Sequence, residues 1–232
     1  MPNTRLRHRR HRGVFISFEG IEGSGKTTQL ARLAKLLREE GCRVVETREP
    51  GGTPIAERIR EILLGASSES DHRVTSSAAE PLTPACEATL VFAARSQHMA
   101  MVIAPALTEG AVVLCDRFAD STLAYQGYAR GLALRDLRGM NRLATRGVMP
   151  DLTLLFDLPV NEGLRRRRRL GTEQNRLDRE SIRFHNRVRR GFLDLQARDP
   201  RRIRLIDASG NPDDIADRVA AIVRKYVSRR SI

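Results

Sequence analysis

An eight-residue stretch near the N-terminus has the residue types and spacing of a phosphate-binding loop. Gly20-Ile21-Glu22-Gly23-Ser24-Gly25-Lys26-Thr27 matches the pattern GxxxxGK[ST] at every fixed position. Glycines at these positions let successive backbone N–H groups curl around a phosphate, and the start of the next helix adds positive potential. Lys26 would reach the β- and γ-phosphates, and the Thr27 hydroxyl would ligate Mg²⁺. The motif predicts a nucleoside triphosphate site, with a plain glycine-rich turn as the alternative.

Arginines elsewhere could form a second anion site, which a kinase needs for its acceptor. Arg48, Arg95 and Arg117 are the candidates, and Arg48 and Arg117 each follow a predicted strand. A planar, permanently charged guanidinium suits bidentate contact with a phosphate. An ion pair with Glu49 is the alternative for Arg48. Asp116 would orient Arg117, act near Mg²⁺ or only cap its strand.

Short apolar runs alternate with helical patterns around these motifs. The runs are bounded by Gly, Pro or charged residues, as buried parallel strands are: Val14–Phe18, Arg43–Val45, Val112–Leu114, Leu152–Phe156 and Ile203–Ile206. Helical patterns cover roughly 26–40, 54–64, 83–107, 135–146, 179–197 and 212–228, and Pro54, Pro84 and Pro212 each follow a Thr or Asn that can cap a helix. The alternation predicts an α/β fold with a three-layer architecture, a five-stranded parallel sheet flanked by helices.

Two segments do not fit this alternation. Residues 65–81 are small and polar, and predict a flexible surface loop. Residues 165–178 are rich in arginine, interrupt the helix expected after Asn161, and predict a mobile lid. We expect residues 1–12 to form a disordered basic arm and residues 13–232 to form a single domain with the lid at about 165–178.

The net charge of +13 is concentrated in two places. Residues 1–12 carry +5 and residues 165–204 carry +10, so that the remainder is slightly acidic. This distribution indicates a mobile basic segment that covers a bound polyphosphate. A P-loop ATPase that binds nucleic acid is the distant alternative. Biased genome composition is another explanation, because only three of the 41 basic residues are lysine.

Cysteine, histidine and hydropathy patterns exclude several classes. Cys42, Cys86 and Cys115 form an odd, unpaired set, and predict reduced core residues in a cytoplasmic protein. The five histidines lack metal-ligand spacing. No run of 18 apolar residues is present, and residues 1–12 lack the apolar segment of a secretory signal, so we expect no membrane partner.

Taken together, the motifs resemble the thymidylate kinase family. The resemblance covers about Val14 to Val227, and its specific strings are Thr47-Arg48-Glu49-Pro50-Gly51-Gly52-Thr53 and Asp116-Arg117-Phe118. Phe18-Glu19-Gly20, Phe92-Ala93-Ala94-Arg95-Ser96-Gln97-His98, Ser121-Thr122-Leu123-Ala124-Tyr125-Gln126-Gly127 and Pro150-Asp151-Leu152-Thr153 follow the order of the family. The resemblance implies a P-loop nucleoside monophosphate kinase fold, and phosphorylation of dTMP to dTDP by ATP with Mg²⁺ in dTTP biosynthesis.

Roles for individual residues follow from the resemblance. Arg117 would hold the acceptor phosphate, Glu22 would face the deoxyribose and the reacting phosphates, and Arg95 would bond a thymine carbonyl. Four residues from the next helix would surround base and sugar: Ser121, Thr122, Tyr125 and Gln126. The aromatic that stacks on the base usually stands four residues before the family's arginine, where this chain has Val91. Phe92 would take over the stacking, or the base would rest on an aliphatic surface.

The resemblance also implies where the remaining catalytic charge lies. One subclass carries an arginine at the place of Gly23, and the other, to which this chain should belong, keeps it in the lid. The candidates to neutralise the transferred phosphoryl group are Arg165, Arg166, Arg167, Arg168, Arg169, Arg176 and Arg179. A homodimer is implied as well. A kinase for another pyrimidine nucleotide or a deoxynucleoside is the nearer alternative function.

Overall fold

The computed structural model describes residues 13–65, 81–169, 171 and 175–227, and within this part of the chain five strands form one parallel sheet. The strands are β1 Val14–Gly20, β2 Val44–Arg48, β3 Val112–Asp116, β4 Leu152–Asp157 and β5 Ile203–Asp207, in the order β2-β3-β1-β4-β5. The predicted fold class is therefore confirmed. The predicted arm 1–12 and nearly all of the predicted loop 65–81 lie outside the described residues.

Helices cover both faces of the sheet. They are α1 Lys26–Glu39, α2 Pro54–Leu64, α3 Pro84–His98, α4 Ala104–Thr108, α5 Ala119–Thr122, α6 Leu134–Thr145, α7 Val160–Arg169, α8 Ile182–Arg198 and α9 Pro212–Val227. Alternate residues of β1 face opposite layers, as the two-residue repeat of a strand requires. Ile16 and Phe18 pack with α1 and α9, whereas Phe15 packs against Phe118 in the other layer.

The three predicted Thr-Pro and Asn-Pro helix starts are confirmed. The hydroxyls of Thr53 and Thr83 accept hydrogen bonds from the backbone N–H groups of Ala56 and Cys86, and the Asn211 side chain accepts one from Asp213. These contacts satisfy N–H groups that the first turn of a helix leaves without a partner.

The helix after β4 corrects one prediction. Instead of being interrupted at residue 165, α7 continues to Arg169. Arginine favours helix, and the Glu162 carboxylate pairs with Arg165 and Arg166 one turn later. The cationic last turn also suits the negative end of the helix dipole, so the arginine run extends the helix.

One helical stretch among the described residues, Pro84–Thr108, is long and apolar enough to span a membrane by length and composition alone. It comprises α3, a wider π-helical segment Met99–Ile103 and α4. It packs against α2 and α6, and it carries the buried polar residues Glu87, Arg95 and His98. Core helices of soluble proteins can have the same length and composition, and the packing of this stretch is that of a core helix.

The three cysteines are free, as predicted. Cys115 lies buried in β3, where burial raises the pKa of its thiol. Cys86 is exposed in the first turn of α3, as are Pro84 and Ala85 beside it, which corrects its predicted core position.

Candidate active site

The carboxyl ends of β1, β2 and β3 open into a cavity of about 530 Å³. From β1 the chain crosses to β2 on one side of the sheet, and after β3 it continues to β4 and β5 on the other side of β1. Open α/β sheets bind ligands at such a switch point. Fifteen of the predicted site residues line this cavity: Glu22, Gly23, Gly25, Lys26, Thr27, Arg95, Asp116, Arg117, Ser121, Thr122, Tyr125, Gln126, Arg166, Arg167 and Arg176. The other predicted residues do not line it: Gly20, Ile21, Ser24, Arg48, Phe92, Arg165, Arg168, Arg169 and Arg179.

The phosphate-binding loop takes a conformation that only glycine fits at position 23. Gly23 has a φ of +72°, and a Cβ atom there would lie 2.0 Å from the carbonyl oxygen of Gly163 in α7. A side chain is excluded at this point, since its first atom would overlap the helix backbone. The loop is therefore packed directly on the helix that leads into the arginine-rich segment.

Lys26 is held inside the loop by backbone and side-chain oxygens. Its Nζ donates to the Ile21 carbonyl at 2.8 Å and to the Ser24 hydroxyl at 3.3 Å. Burial, together with the nearby Arg117 charge, lowers the pKa of Lys26 to about 8. The loop thus keeps a partly desolvated cation at its centre, where its electrostatic attraction to a bound anion is strongest.

Thr27 and Asp116 together form an oxygen-rich point beside Lys26. The Thr27 hydroxyl donates to Asp116 Oδ2 at 2.5 Å. A hydroxyl and a carboxylate fit Mg²⁺, which takes one or two protein oxygens together with water and substrate phosphates. Among the described residues no cluster of three or more His, Cys, Asp or Glu could hold a metal, so phosphate and water would supply the remaining ligands.

Arg117 stands at the centre of the site in a backbone conformation that is rare outside glycine, with φ at +69°. Its Nη1 donates to the Gly20 carbonyl at 2.9 Å, and its Nη2 donates to Glu22 Oε1 at 3.0 Å. Although burial opposes the charged form, Tyr125 and Glu22 raise the pKa of Arg117 above its ordinary value. The turn after β3 therefore aims a permanent cation at the phosphate-binding loop.

Glu22 is a largely buried carboxylate, 12% exposed, with several polar neighbours. Burial favours its neutral form, but Arg117, the approach of His185, Lys26 and the Tyr125 hydroxyl at 2.6 Å hold the pKa of Glu22 well below its usual range. Glu22 is therefore ionised, and it fixes the positions of the Arg117 and Tyr125 side chains.

Arg95 is committed largely to protein contacts, although it lines the cavity. Its side chain is 1% exposed, and it donates to Glu49 at 2.7 Å, to Asn141 at 3.1 Å and to the Phe118 carbonyl at 3.1 Å. A guanidinium has five N–H donors, so these three bonds leave two donors for a ligand. Arg95 both braces α3 against the residues after β2 and faces the cavity.

The helical segment after Arg117 supplies a polar pocket wall. The Thr122 hydroxyl lines the cavity, is buried and has no hydrogen-bond partner among the described residues, so it can bond a polar group in the cavity. Gln126 donates to the buried carboxylate of Glu87 at 2.7 Å, and Ser121 donates to Glu19 at 2.6 Å. These contacts hold the predicted side chains in place along the cavity.

Another part of the cavity wall is aliphatic. Val91 is half-buried and lines the cavity with Leu63, Leu64 and Leu177. Phe92 points about 100° away around α3, is 5% exposed, and packs in the core beside Leu123. Phe92 is therefore a core residue, and the side chain that lines the cavity at this turn of α3 is the aliphatic Val91.

The resemblance to the thymidylate kinases implies that a thymine base lies in this part of the cavity. We therefore predict that Val91→Phe lowers the KM for dTMP about fivefold, because stacking a base on a ring contributes about 1–3 kcal/mol. Steady-state kinetics at saturating ATP measures the effect. Val91→Leu adds aliphatic volume without a ring, and we expect it to leave the KM for dTMP nearly unchanged. A KM that rises in the Phe variant would contradict a base position against Val91.

Arg48 does not reach the cavity. It is 55% exposed and pairs with Glu57 of α2 at 3.0 Å, rather than with Glu49. The cation that lines the cavity from this side is Arg60, which donates to the Pro50 carbonyl at 2.8 Å. The sequence carried a signal for Arg60, because it lies on the same face of α2 as the buried residues Ala56 and Leu63.

The arginines of the predicted lid point in different directions. Arg166 reaches the carbonyl of Ala208 at 2.9 Å, and Arg167 reaches Asp178 at 2.8 Å, while both line the cavity near the loop. Arg176 instead donates to Leu63 at 2.9 Å and to Glu87 at 2.7 Å. Glu87 was not among the predicted residues, because a glutamate in the first turn of a helix also reads as a helix-dipole partner.

Comparisons with known proteins show the family to which the chain is related. A family model described as thymidylate kinase matches residues 18–219. The chain is 50% identical over 210 residues to the thymidylate kinase of Syntrophotalea carbinolica, covering 88% of this chain and 92% of the relative. It is 49% identical to that of Geobacter sulfurreducens, covering 94% and 100%.

A solved structure has a similar fold. The crystal structure of thymidylate kinase from Ehrlichia chaffeensis superposes with a TM-score of 0.70 at 33% identity, covering 91% of this chain and 98% of that one. The phosphate-binding loop, the Asp116-Arg117 turn and the polar wall after it all lie within the matched residues. This chain belongs to the thymidylate kinase family.

Proposed function

We propose that the cavity catalyses in-line transfer of the ATP γ-phosphoryl group to the 5′-phosphate of dTMP, without a covalent intermediate. As a thymidylate kinase, the chain is an ATP-dependent nucleoside monophosphate kinase that forms dTDP from dTMP. The observation that carries the mechanism is the position of Arg117, between the phosphate-binding loop and the polar wall of Thr122 and Gln126. ATP would lie on Gly20–Thr27 and dTMP against Arg117.

Catalysis in this arrangement rests on positioning and charge. The acceptor is already an anion, so no side chain has to remove a proton or attack phosphorus. Lys26 and Arg117 approach the reacting phosphates from two sides and offset the negative charge that resists their approach. Thr27 and Asp116 would hold Mg²⁺, which when bound screens the phosphate charge. Glu22 keeps Arg117 pointing at the loop.

We further propose that the arginine-rich segment closes over the donor phosphates. Arg166 and Arg167 support this, since both stand in the cavity wall and are anchored by Ala208 and Asp178. Closure would exclude water and suppress ATP hydrolysis. We also propose a cytoplasmic location for this enzyme, in keeping with its substrates ATP and dTMP.

A coupled ADP-release assay with dTMP, dUMP, CMP and thymidine tests this function. We expect turnover with dTMP to exceed that with the other three, and to require Mg²⁺. Turnover fastest with thymidine or CMP would contradict the acceptor proposed. ATPase activity that is stimulated by DNA and unaffected by dTMP would contradict the reaction itself.

We also propose that two copies of the chain form a homodimer. Large apolar side chains are exposed on α2 and α6, which both pack against α3. Ile55 and Ile62 lie two turns apart on one face of α2. Met140 and Leu143 share a face of α6, and Leu143 is 82% exposed. Exposed apolar faces of this extent mark interaction surfaces.

Leu143→Arg is expected to shift the protein from dimer to monomer in light scattering, because it places a charge in the proposed interface. Leu205→Arg is the matched control, since Leu205 is exposed on β5, outside the proposed interface. We expect this control to remain dimeric. A wild-type protein that is monomeric at high concentration would contradict the proposal.

A further inference from the structure

A buried histidine of α8 faces the phosphate-binding loop without a hydrogen-bond partner of its own. The His185 side chain is 1% exposed, and its Nδ1 lies 3.4 Å from Glu22 Oε2. Neither ring nitrogen of His185 makes a hydrogen bond with the described residues. Since a buried polar group without a partner costs free energy, the position of this side chain needs an explanation.

The carboxylate on the other side of this contact is also incompletely bonded. Glu22 Oε1 accepts from Arg117 and from Tyr125, whereas Oε2 is buried without a hydrogen-bond partner among the described residues. A shift of about half an ångström would bring Nδ1 and Oε2 to ordinary hydrogen-bond distance. The two atoms are therefore poised to form a bond that would satisfy Oε2 of Glu22 and Nδ1 of His185.

The place of His185 in the chain connects this contact to the proposed lid. Helix α8 begins one turn before His185, and it follows directly on the segment that carries Arg176 and Asp178. A small displacement of α8 as that segment closes would change the Nδ1–Oε2 distance. Because Glu22 also holds Arg117, the displacement would reach the cation that faces the acceptor.

We propose that His185 is a positioning residue: its Nδ1–H bonds Glu22 Oε2 when the site closes, and so fixes Glu22 and through it Arg117. This inference rests on the function proposed above for Arg117. His185 touches neither nucleotide, since it does not line the cavity. Its contribution is to orient the acceptor phosphate, and not to bind ATP.

His185→Leu and His185→Asn test the proposal as a matched pair. Leucine and asparagine have the same branching and the same number of side-chain heavy atoms, but only asparagine places an N–H donor where Nδ1 stands. We expect the Leu variant to lose about tenfold in kcat/KM for dTMP, the effect of one charge-assisted hydrogen bond, with the KM for ATP nearly unchanged. We expect the Asn variant to recover most of this loss.

Equal losses in the Leu and Asn variants would overturn the proposal, because the imidazole would then serve only to fill space. A parallel rise in the KM for ATP would also overturn it. In a Glu22→Gln background we expect His185→Leu to have less effect than in the wild type, and full additivity would argue against action through Glu22. Wild-type turnover of dTMP separately tests the proposed function, so the two failures are distinguishable.

Discussion

Replacing Arg117 with alanine is expected to lower kcat/KM for dTMP about a thousandfold, the scale of removing one preorganised donor from a reacting charge. Its Nη atoms donate to Gly20 and Glu22 of the phosphate-binding loop and to Ser121 of the polar wall, so one side chain links the donor loop to the acceptor side. We expect the KM for ATP to change less than about threefold, because Lys26 and the loop backbone hold the triphosphate. Steady-state kinetics with each substrate varied measures both effects.

Two variants define what the Arg117 result means. Arg117→Lys keeps the charge but loses the planar fork, and we expect activity between that of the wild type and that of the alanine variant. Arg43→Ala removes an exposed arginine that pairs with Glu109 far from the cavity, and should leave kcat/KM unchanged. Turnover of dTMP by Arg117→Ala at the wild-type rate would remove Arg117 from the mechanism.

The sequence predicted the sheet and its cavity because its strongest signals are local. Each apolar run is a strand, and each Thr-Pro or Asn-Pro pair begins a helix. The strands continue past their predicted ends into polar residues, as in Glu46-Thr47-Arg48 of β2 and Asp116 of β3. A hydrophobicity pattern stops where polar side chains begin, yet the backbone hydrogen bonds of a parallel sheet continue through them.

Side-chain direction was harder to predict. Val91 and Phe92 are adjacent, but the 100° step of a helix sends one to the cavity and the other to the core, and residue type alone favours the wrong one. Arg48 and Arg60 show the same difficulty, because both are arginines near β2 and only packing decides which one enters the cavity. The contact between His185 and Glu22 joins residues 163 positions apart in the chain, and depends on how α8 packs.

Replacing Lys26 with methionine is expected to abolish turnover, by at least about a thousandfold, and also to raise thermal stability. The Lys26 pKa of about 8 lies below its ordinary value because burial disfavours the charged form. Below pH 8 the folded and unfolded proteins are both protonated at this residue, so the full cost of burying the ammonium is present. Methionine has similar length and removes that cost, at the expense of the phosphate contact.

The pH dependence gives this prediction its sign. Between pH 8 and the ordinary pKa of lysine the folded protein gives up the proton first, so the cost of Lys26 shrinks as the pH rises. The gain in Tm from Lys26→Met should therefore be a few degrees at pH 7, where the cost is about 3 kcal/mol at most, and smaller near pH 10. Differential scanning calorimetry at both pH values measures it, with Lys35→Met as the control, since Lys35 is exposed on the same helix. If the methionine variant were less stable than the wild type at both pH values, the hydrogen bonds of Lys26 to Ile21 and Ser24 would contribute more free energy than burying its charge costs. The predicted gain in Tm would instead show that Lys26 is kept for catalysis at a cost to the stability of the fold.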